Sequence, residues 1–473
     1  MQRKNGYLVW LVIAAAVAVL FLSWRYRDFR LSTQTLPSDF SMAGLKVGGM
    51  TRERALNALE VAFSTPLTLT YHDETLSLCP SLVELRYDAT QTGDNLDGVL
   101  VDWRGVEGFV AHVLRRESTP IAVPVAVTYS EERVSRYLDR TADEYDGPPQ
   151  EPVALPAVLD FRPPRPGYRL DIEASRARLA RALVSASTQQ VDLVVDLEEP
   201  PDQDLRLLRQ LLDERLDDHP GLIPGIFIKD LRSGEELTIN GHVPFSGLSV
   251  LKIGVLEEVY RSLDRPPGPE TTKLISETMT ESGNFTANLL LRDIIGHGDA
   301  YEGAEEVTDS MKRLGLLNTF MGAPYDEKDV GSQVVTDANS QTDVSTEPDP
   351  FIQTTPLDVG LLLEMIYQCT EGGGALILNY RSSVTPTECR EMVDWMTANP
   401  MDSLIARGVP AGTQVAHKHG WTSDTHADAG LVYSPGRDYV LVVFLYRDGW
   451  LEWDEGASLI ADISTATYNY FNP

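Results

Sequence analysis

Phe245-Ser-Gly-Leu-Ser-Val-Leu-Lys-Ile-Gly-Val-Leu-Glu257 reads as the opening of an apolar helix, with Ser249 and Lys252 three residues apart. On a helix, positions i and i+3 share a face, so the Lys252 amine reaches the Ser249 hydroxyl and can take its proton. A Ser three residues before a Lys also arises by chance in long chains, where it is solvated surface. The flanks separate the two cases: Val250, Leu251, Ile253, Val255 and Leu256 make the segment apolar on nearly all sides, as in a buried helix. A lysine placed there is desolvated, which lowers its pKa and favours the neutral amine that a general base requires. The pair is the minimum equipment for acyl transfer to a serine.

Two further stretches extend the pattern. Glu281-Ser-Gly-Asn-Phe-Thr-Ala-Asn-Leu-Leu-Leu291 supplies Ser282 and Asn284 ahead of a strongly apolar helix. Ala416-His-Lys-His-Gly-Trp421 places Lys418 on a strand, followed by Gly420, whose missing side chain lets a substrate lie against the backbone. Around these motifs, Leu205–Leu216 has the spacing of an amphipathic helix, and Gly225–Leu231 with Glu236–Asn240 that of a hairpin. Thr413–His419, Gly430–Tyr433 and Tyr439–Tyr446 read as further strands and Ala457–Tyr470 as a closing helix. Strands at both ends of the region with helices between them predict one sheet assembled from the two termini and faced by a helical subdomain, an α+β architecture.

Ser-x-x-Lys, Ser-x-Asn and Lys-x-Gly in this order form the signature of the penicillin-recognising serine enzymes, so residues 201–473 resemble the class A β-lactamase-like serine hydrolases, which border on D-alanyl-D-alanine peptidases. The resemblance implies a β-lactamase/transpeptidase-like domain in which Ser249 is acylated, Lys252 is its base and Ser282 relays a proton to the leaving nitrogen. It further implies that Asn284 donates to the substrate amide, that Lys418 with its neighbours His419 and Gly420 meets the substrate carboxylate, and that the Ser249 and Trp421 N–H groups form the oxyanion hole. No cofactor is implied, and the substrate would be a β-lactam or a cell-wall peptide. Alternatives within the same fold are a D-alanyl-D-alanine carboxypeptidase-like enzyme and a weak or inactive wall-associated binding protein. Four departures stand out. Gly283 occupies the usual Asp position, and His419 replaces a hydroxyl residue. Ser249 and Ser282 are unusually close in sequence. The polar loop Val330–Gln353 lacks the Glu-x-x-Leu-Asn segment whose Glu activates the deacylating water, Glu347 being a weak stand-in.

His417 and His419 flank Lys418 and point to one face of the strand, with His426 close in sequence. No third ligand is spaced for a metal, so these histidines are expected to line the cleft, with His419 titrating near neutral pH. Of the three cysteines, Cys369 and Cys389 lie either side of a Gly-rich turn and are either bridged or two buried thiols; Cys79 would then be the odd one.

At 473 residues with 42% hydrophobic content the chain has room for two or three domains with full cores. A formal charge of -30, spread along the chain, argues against nucleic acid as a partner. Tyr7–Trp24 is an uncharged run of about the ~18–20 residues that cross a bilayer core, with Tyr7, Trp10 and Trp24 near its ends. Arg3 and Lys4 precede it while Arg25, Arg27 and Arg30 follow, leaving orientation open on charge alone. No small-residue cleavage site follows, so residues 1–30 are expected to be a cytoplasmic tip and uncleaved membrane anchor, with the bulk of the chain outside the cytoplasm. A secretory signal removed further on would put the remainder in the same compartment.

After a linker at 31–40, residues 41–200 predict a small α+β domain. Thr51 caps a helix, Leu67–Leu78 forms a hairpin, Val123–Tyr129 leads into a helix capped by Ser130, and a strand is expected near Ala157–Phe161. Gly167–Asp171 is expected to start a helix reaching Val184, with Val191–Leu197 as a closing strand. Val47-Gly-Gly-Met-Thr51 and Gly167-Tyr-Arg-Leu-Asp171 resemble the peptidoglycan-binding domains of some L,D-transpeptidases and vancomycin-resistance-associated wall proteins, which implies peptidoglycan as a partner; a plain spacer is the alternative.

Overall fold

The computed structural model describes residues 4–114, 122–327, 331, 333–341, 343–381 and 383–473. Two compact units emerge, Met1–Gln150 with Arg165–Pro200, and Glu151–Pro164 with Pro201–Pro473.

The first unit begins with α1 (Lys4–Ser32), longer than the apolar run at both ends. Its Trp10–Ser32 portion, with a mean hydropathy of 1.4 and exposed throughout its most apolar stretch, has the length and composition of a membrane anchor or a signal sequence. Helices α2 (Arg52–Ser64), α3 (Ala89–Arg104), α4 (Val106–Val113), α5 (Glu131–Tyr145) and α6 (Ile172–Leu183) follow. Thr51 and Ser130 accept hydrogen bonds from the third residue on, as the capping signals require. Three expectations need correction. Gly167–Leu170 is a strand paired with Val195–Glu198, and the helix starts only after Asp171, whose carboxylate caps Ala174 N–H. Val191–Leu197 is two strands, because Gln190–Asp192 pairs with Thr68–Thr70 while the next segment turns to a different sheet. Val123–Tyr129 is likewise broken into Ala122–Val123 and Val127–Thr128.

Residues 151–164 join the second unit through apolar contact: Phe161 packs edge-on against Tyr470 at 5.6 Å, and Asn469 Nδ2 donates to Leu159 O at 2.8 Å. After α7 (Leu205–Asp217) comes a five-stranded antiparallel sheet of β1 (Leu222–Asp230), β2 (Glu236–Ile239), β3 (Gln414–Trp421), β4 (Thr425–Tyr433) and β5 (Tyr439–Arg447). Its order is β2-β1-β5-β4-β3, so strands from the two ends of the unit meet at the centre and β3 is an edge. Strand alternation sends Ile226, Ile228, Leu441, Val443 and Leu445 to one face, under α7 and α15 (Trp453–Phe471). Phe227, Val440, Val442 and Phe444 go to the other, where they join Val255, Leu256 and Val259 of α8 (Lys252–Ser262) and Leu362, Leu363 and Ile366 of a long helix. The helical subdomain on that face comprises α8, α9 (Pro269–Thr280), α10 (Asn284–Leu290), α11 (Ala300–Arg313), α12 (Pro356–Thr370), α13 (Gly374–Asn379) and α14 (Pro386–Thr397). Thr385 and Glu388 form a capping box at the start of α14. Cys369 on α12 is bridged to Cys389 on α14, which settles the pairing and leaves Cys79 free.

Candidate active site

Ser249 lies in a single 3-10 turn, Leu248–Leu251, that runs straight into α8 with Lys252 as its first residue. Ser249 is half-buried, whereas Lys252 has no exposed surface. The Lys252 Nζ donates to Ser249 Oγ at 2.8 Å, Ser282 O at 2.6 Å and Asn284 Oδ1 at 2.7 Å, and sits 4.7 Å from the centre of the Tyr325 ring. Three acceptors match the three protons of an ammonium. Burial nevertheless pushes the amine down to about 7, helped by the positive charge of Lys418 and opposed by Asp326. At neutral pH both forms are therefore populated, and the neutral one has a lone pair facing the serine hydroxyl.

Lys418 is equally buried, and its Nζ donates to Ser282 Oγ at 2.9 Å and to His419 O at 3.0 Å. Burial lowers it to about 8, with Asp428 pulling the other way. Ser282 Oγ thus lies between two amines, with Lys252 Nζ at 3.4 Å on its other side. This arrangement suits proton transfer through a hydroxyl. Ser282 (φ 59), Leu248 (φ 49) and Asp326 (φ 65) all hold left-handed backbone conformations, and all three adjoin or contact this network. Such outliers cost about 1–3 kcal/mol each and persist where the surroundings over-determine them.

Hydrogen bonding along β3 fixes what its open edge presents. Thr422 N–H donates to Thr425 O at 2.8 Å, so Thr422, Gly420 and Lys418 are the residues bonded to β4. The intervening residues turn their backbone groups to the open edge, as the side-chain bonds to His417 O and His419 O bear out. Trp421 N–H therefore points outward. At Gly420 a Cβ would come within 2.6 Å of Ser249 N, so only glycine allows the edge to press against the serine. The Ser249 backbone thus lies beside the residue that precedes the outward-facing Trp421 N–H.

His419 is placed differently from expectation. Its side chain is on the opposite face of β3 from Lys418, buried, with Nδ1 3.2 Å from Asn399 Nδ2 and the ring stacked on Trp421 at 5.4 Å. Burial, reinforced by Lys418, holds it down at about 4, so it is neutral through the whole physiological range rather than titrating near pH 7. His417 does not line a cleft either: its Nδ1 is 2.9 Å from both oxygens of the buried Asp428. Burial raises the Asp428 carboxyl, but His417 and the Ile405 N–H more than offset this and leave it below the usual range. Among the described residues no group of three His, Cys, Asp or Glu could hold a metal.

The position where Gly283 replaces a carboxylate is filled from elsewhere. A Cβ there would meet Thr286 Oγ1 at 2.6 Å, and that hydroxyl accepts from Thr278 at 3.0 Å and donates to Gly283 O at 3.1 Å, tying the loop. The motifs do not reveal Asp326, which receives Asn284 Nδ2 at 3.1 and 3.2 Å on its two oxygens. Asn288 positions the preceding residue, with Nδ2 on Tyr325 O and Oδ1 on Tyr325 N–H, both at 2.9 Å. Tyr325 OH in turn donates to Leu248 O at 3.2 Å. Glu347 is near Tyr446 and makes no described bond to the catalytic network. Phe285, 74% exposed beside Asn284, and Trp421, 51% exposed, offer apolar surface next to the polar cluster.

Residues 266–471 match the β-lactamase enzyme family, a span that includes Ser282, Asn284 and Lys418 and begins after Ser249 and Lys252. No curated protein matches the chain significantly. Among solved structures it is similar to PBP-A at 22% identity and a TM-score of 0.45, over 58% of this chain and 98% of that one. An ancestral class A β-lactamase matches at 21% identity and a TM-score of 0.42, over 55% and 98% of the two chains. A β-lactamase from Sphaerobacter thermophilus gives 20% identity and a TM-score of 0.42, over 57% and 98%. The family match and the sheet-and-helix architecture give the C-terminal unit a β-lactamase-like serine hydrolase fold.

Proposed function

We propose that the protein is a membrane-held serine hydrolase that forms an acyl-enzyme on Ser249 with β-lactams or cell-wall peptide amides, its bulk lying outside the cytoplasm. The observation that carries this reading is the buried Lys252 amine 2.8 Å from Ser249 Oγ. Neutral Lys252 takes the Ser249 proton as Oγ attacks the substrate carbonyl carbon. The Ser249 and Trp421 amides hold the resulting oxyanion, each such donor contributing about 3–4 kcal/mol in comparable hydrolases. The proton passes from Lys252 through Ser282 to the leaving nitrogen as the C–N bond breaks. Lys418, still protonated, orients Ser282 and attracts the substrate carboxylate, while Asn284 faces the substrate amide. Asp326 accepts from Asn284 Nδ2 and acts electrostatically on Lys252, and on that ground we assign it the part of the missing glutamate in activating the deacylating water. Of residues 41–200, those in the first unit, 41–150 and 165–200, serve as the wall-facing module, by the resemblance given above.

Incubation with a fluorescent penicillin followed by intact-mass measurement tests the reading. A penicilloyl adduct on Ser249, absent in Ser249→Ala, is expected; no adduct and no hydrolysis of either β-lactams or wall peptides overturns it. Asp326→Asn should prolong the adduct by about 10²-fold or more, within the usual range for a lost general base. Retention of the full chain on purified cell walls, unchanged by Ser249→Ala, tests the wall-facing module separately.

A further inference from the structure

The apolar run of α1 ends at Trp24, yet the helix continues to Ser32 and this extension is packed against α4. Phe29 is 2% exposed, with its ring 5.5 Å from Phe109 and 5.6 Å from His112. Tyr26 meets Phe109 edge-on at 5.5 Å, Arg25 Nη2 donates to His112 O at 2.7 Å, and His112 Nε2 is 3.1 Å from Asp28. At about 1.5 Å of rise per residue, all these contacts fall within roughly 8 Å of Trp24 along the helix axis. Helix α4 is thereby held at the level where the apolar run gives way to charge.

Phe109 and His112 occupy one side of α4. On the other, Val106, Val110 and Leu114 recur at i, i+4 and i+8, with exposures of 79%, 46% and 57%, and Val101 of α3 adds another exposed side chain at 66%. No residue of α4 is buried. Nothing else in this unit covers the stripe among the described residues, while Arg27 and Arg30 stand exposed on the adjoining stretch of α1.

We propose that α4 is an interfacial helix whose Val106–Val110–Leu114 stripe is immersed in the headgroup–acyl boundary of a phospholipid bilayer, so that the first unit rests on the lipid surface beside its own span. The apolar side chains exposed on one face of α4, its position beside the end of the apolar run and the exposed arginines that α1 supplies next to it fit such a helix. The inference rests on the reading of α1 as a membrane span.

The full chain carrying Cys79→Ser, with a single new cysteine at Val17 or Val110 labelled by an environment-sensitive fluorophore, can be reconstituted in phosphatidylcholine–phosphatidylglycerol vesicles with and without nitroxide lipids. The Cys369–Cys389 bridge stays unlabelled. Both labels are expected to lose roughly half their emission or more to nitroxides, Val110 most to a nitroxide near the headgroup and Val17 most to one deep in the chain, for a helix buried about 5–10 Å. Quenching at Val17 without quenching at Val110 leaves the span intact and overturns the interfacial helix, including the case where Val110 is shielded by protein. Absence of quenching at both positions overturns the span and the inference together.

Discussion

On one face of β3, Lys418 is buried beside Ser282 with no carboxylate bonded to it among the described residues; on the other, His417 is buried in contact with Asp428. The same strand thus handles buried charge in two ways. Pairing removes most of the electrostatic reason for a proton to move, and the His417–Asp428 pair ties β3 to β4 and to Ile405. Leaving the cations unpaired keeps Lys252 and Lys418 near the point where either protonation state is accessible, at about 7 and about 8. The proposed chemistry falls on the face where the charge has been left uncompensated.

Substitutions on the two faces should separate. Lys252→Met is expected to slow acylation by about 10³–10⁴-fold, measured by penicillin labelling, with no loss of thermal stability because an unpaired buried cation is removed. A destabilised Lys252→Met would break the contrast. Asp428→Asn should do the reverse, costing about 3–5 kcal/mol in denaturant unfolding while the folded fraction still acylates, its alkaline limb moved to lower pH because Asp428 supports the charge on Lys418. With pH, acylation should rise about tenfold per unit up to about 7, as Lys252 loses its proton, and decline above about 8, as Lys418 loses its own. The two limbs belong to the pair, since both amines face Ser282 Oγ. His419→Gln should leave this profile unshifted; a moved limb would bring the far face into the chemistry. Away from both faces, reduction of Cys369–Cys389 should lower stability by up to about 3 kcal/mol, the closure entropy of a loop of its 20-residue separation, with acylation retained.

The parts of this molecule that local pattern could reveal are those with short-range causes. Ser249 and Lys252 are one helical turn apart, and the inner strands β1 and β5 carry plain apolar runs, so both stand out in the chain. Gly167–Leu170 was harder: the capping signal of Asp171 is real, but four residues of strand before it give too little alternation to mark the boundary. Phe161 joins the second unit because of Tyr470, a contact across most of the chain that no local window contains. Alternation correctly groups His417 with His419, yet their burial depends on Asn399, Trp421 and Asp428. Asp326 has no motif of its own; it reaches the network because Asn288, forty residues away at most in sequence, clamps the residue before it.

That clamp has a consequence for how the domain can vary. Asn284 and Asn288 share one short helix, so the element that receives the Lys252 amine also sets the height of the loop bearing Asp326. The segment that follows is tied at its far end as well, because Phe351 O accepts from Gly322 N–H at 2.6 Å and so holds the start of the turn that carries Asp326. The Asp326 carboxylate is thus suspended from two anchors, Asn288 of α10 on one side and Phe351 on the other, so a change in the loop reaches it only by moving one of them.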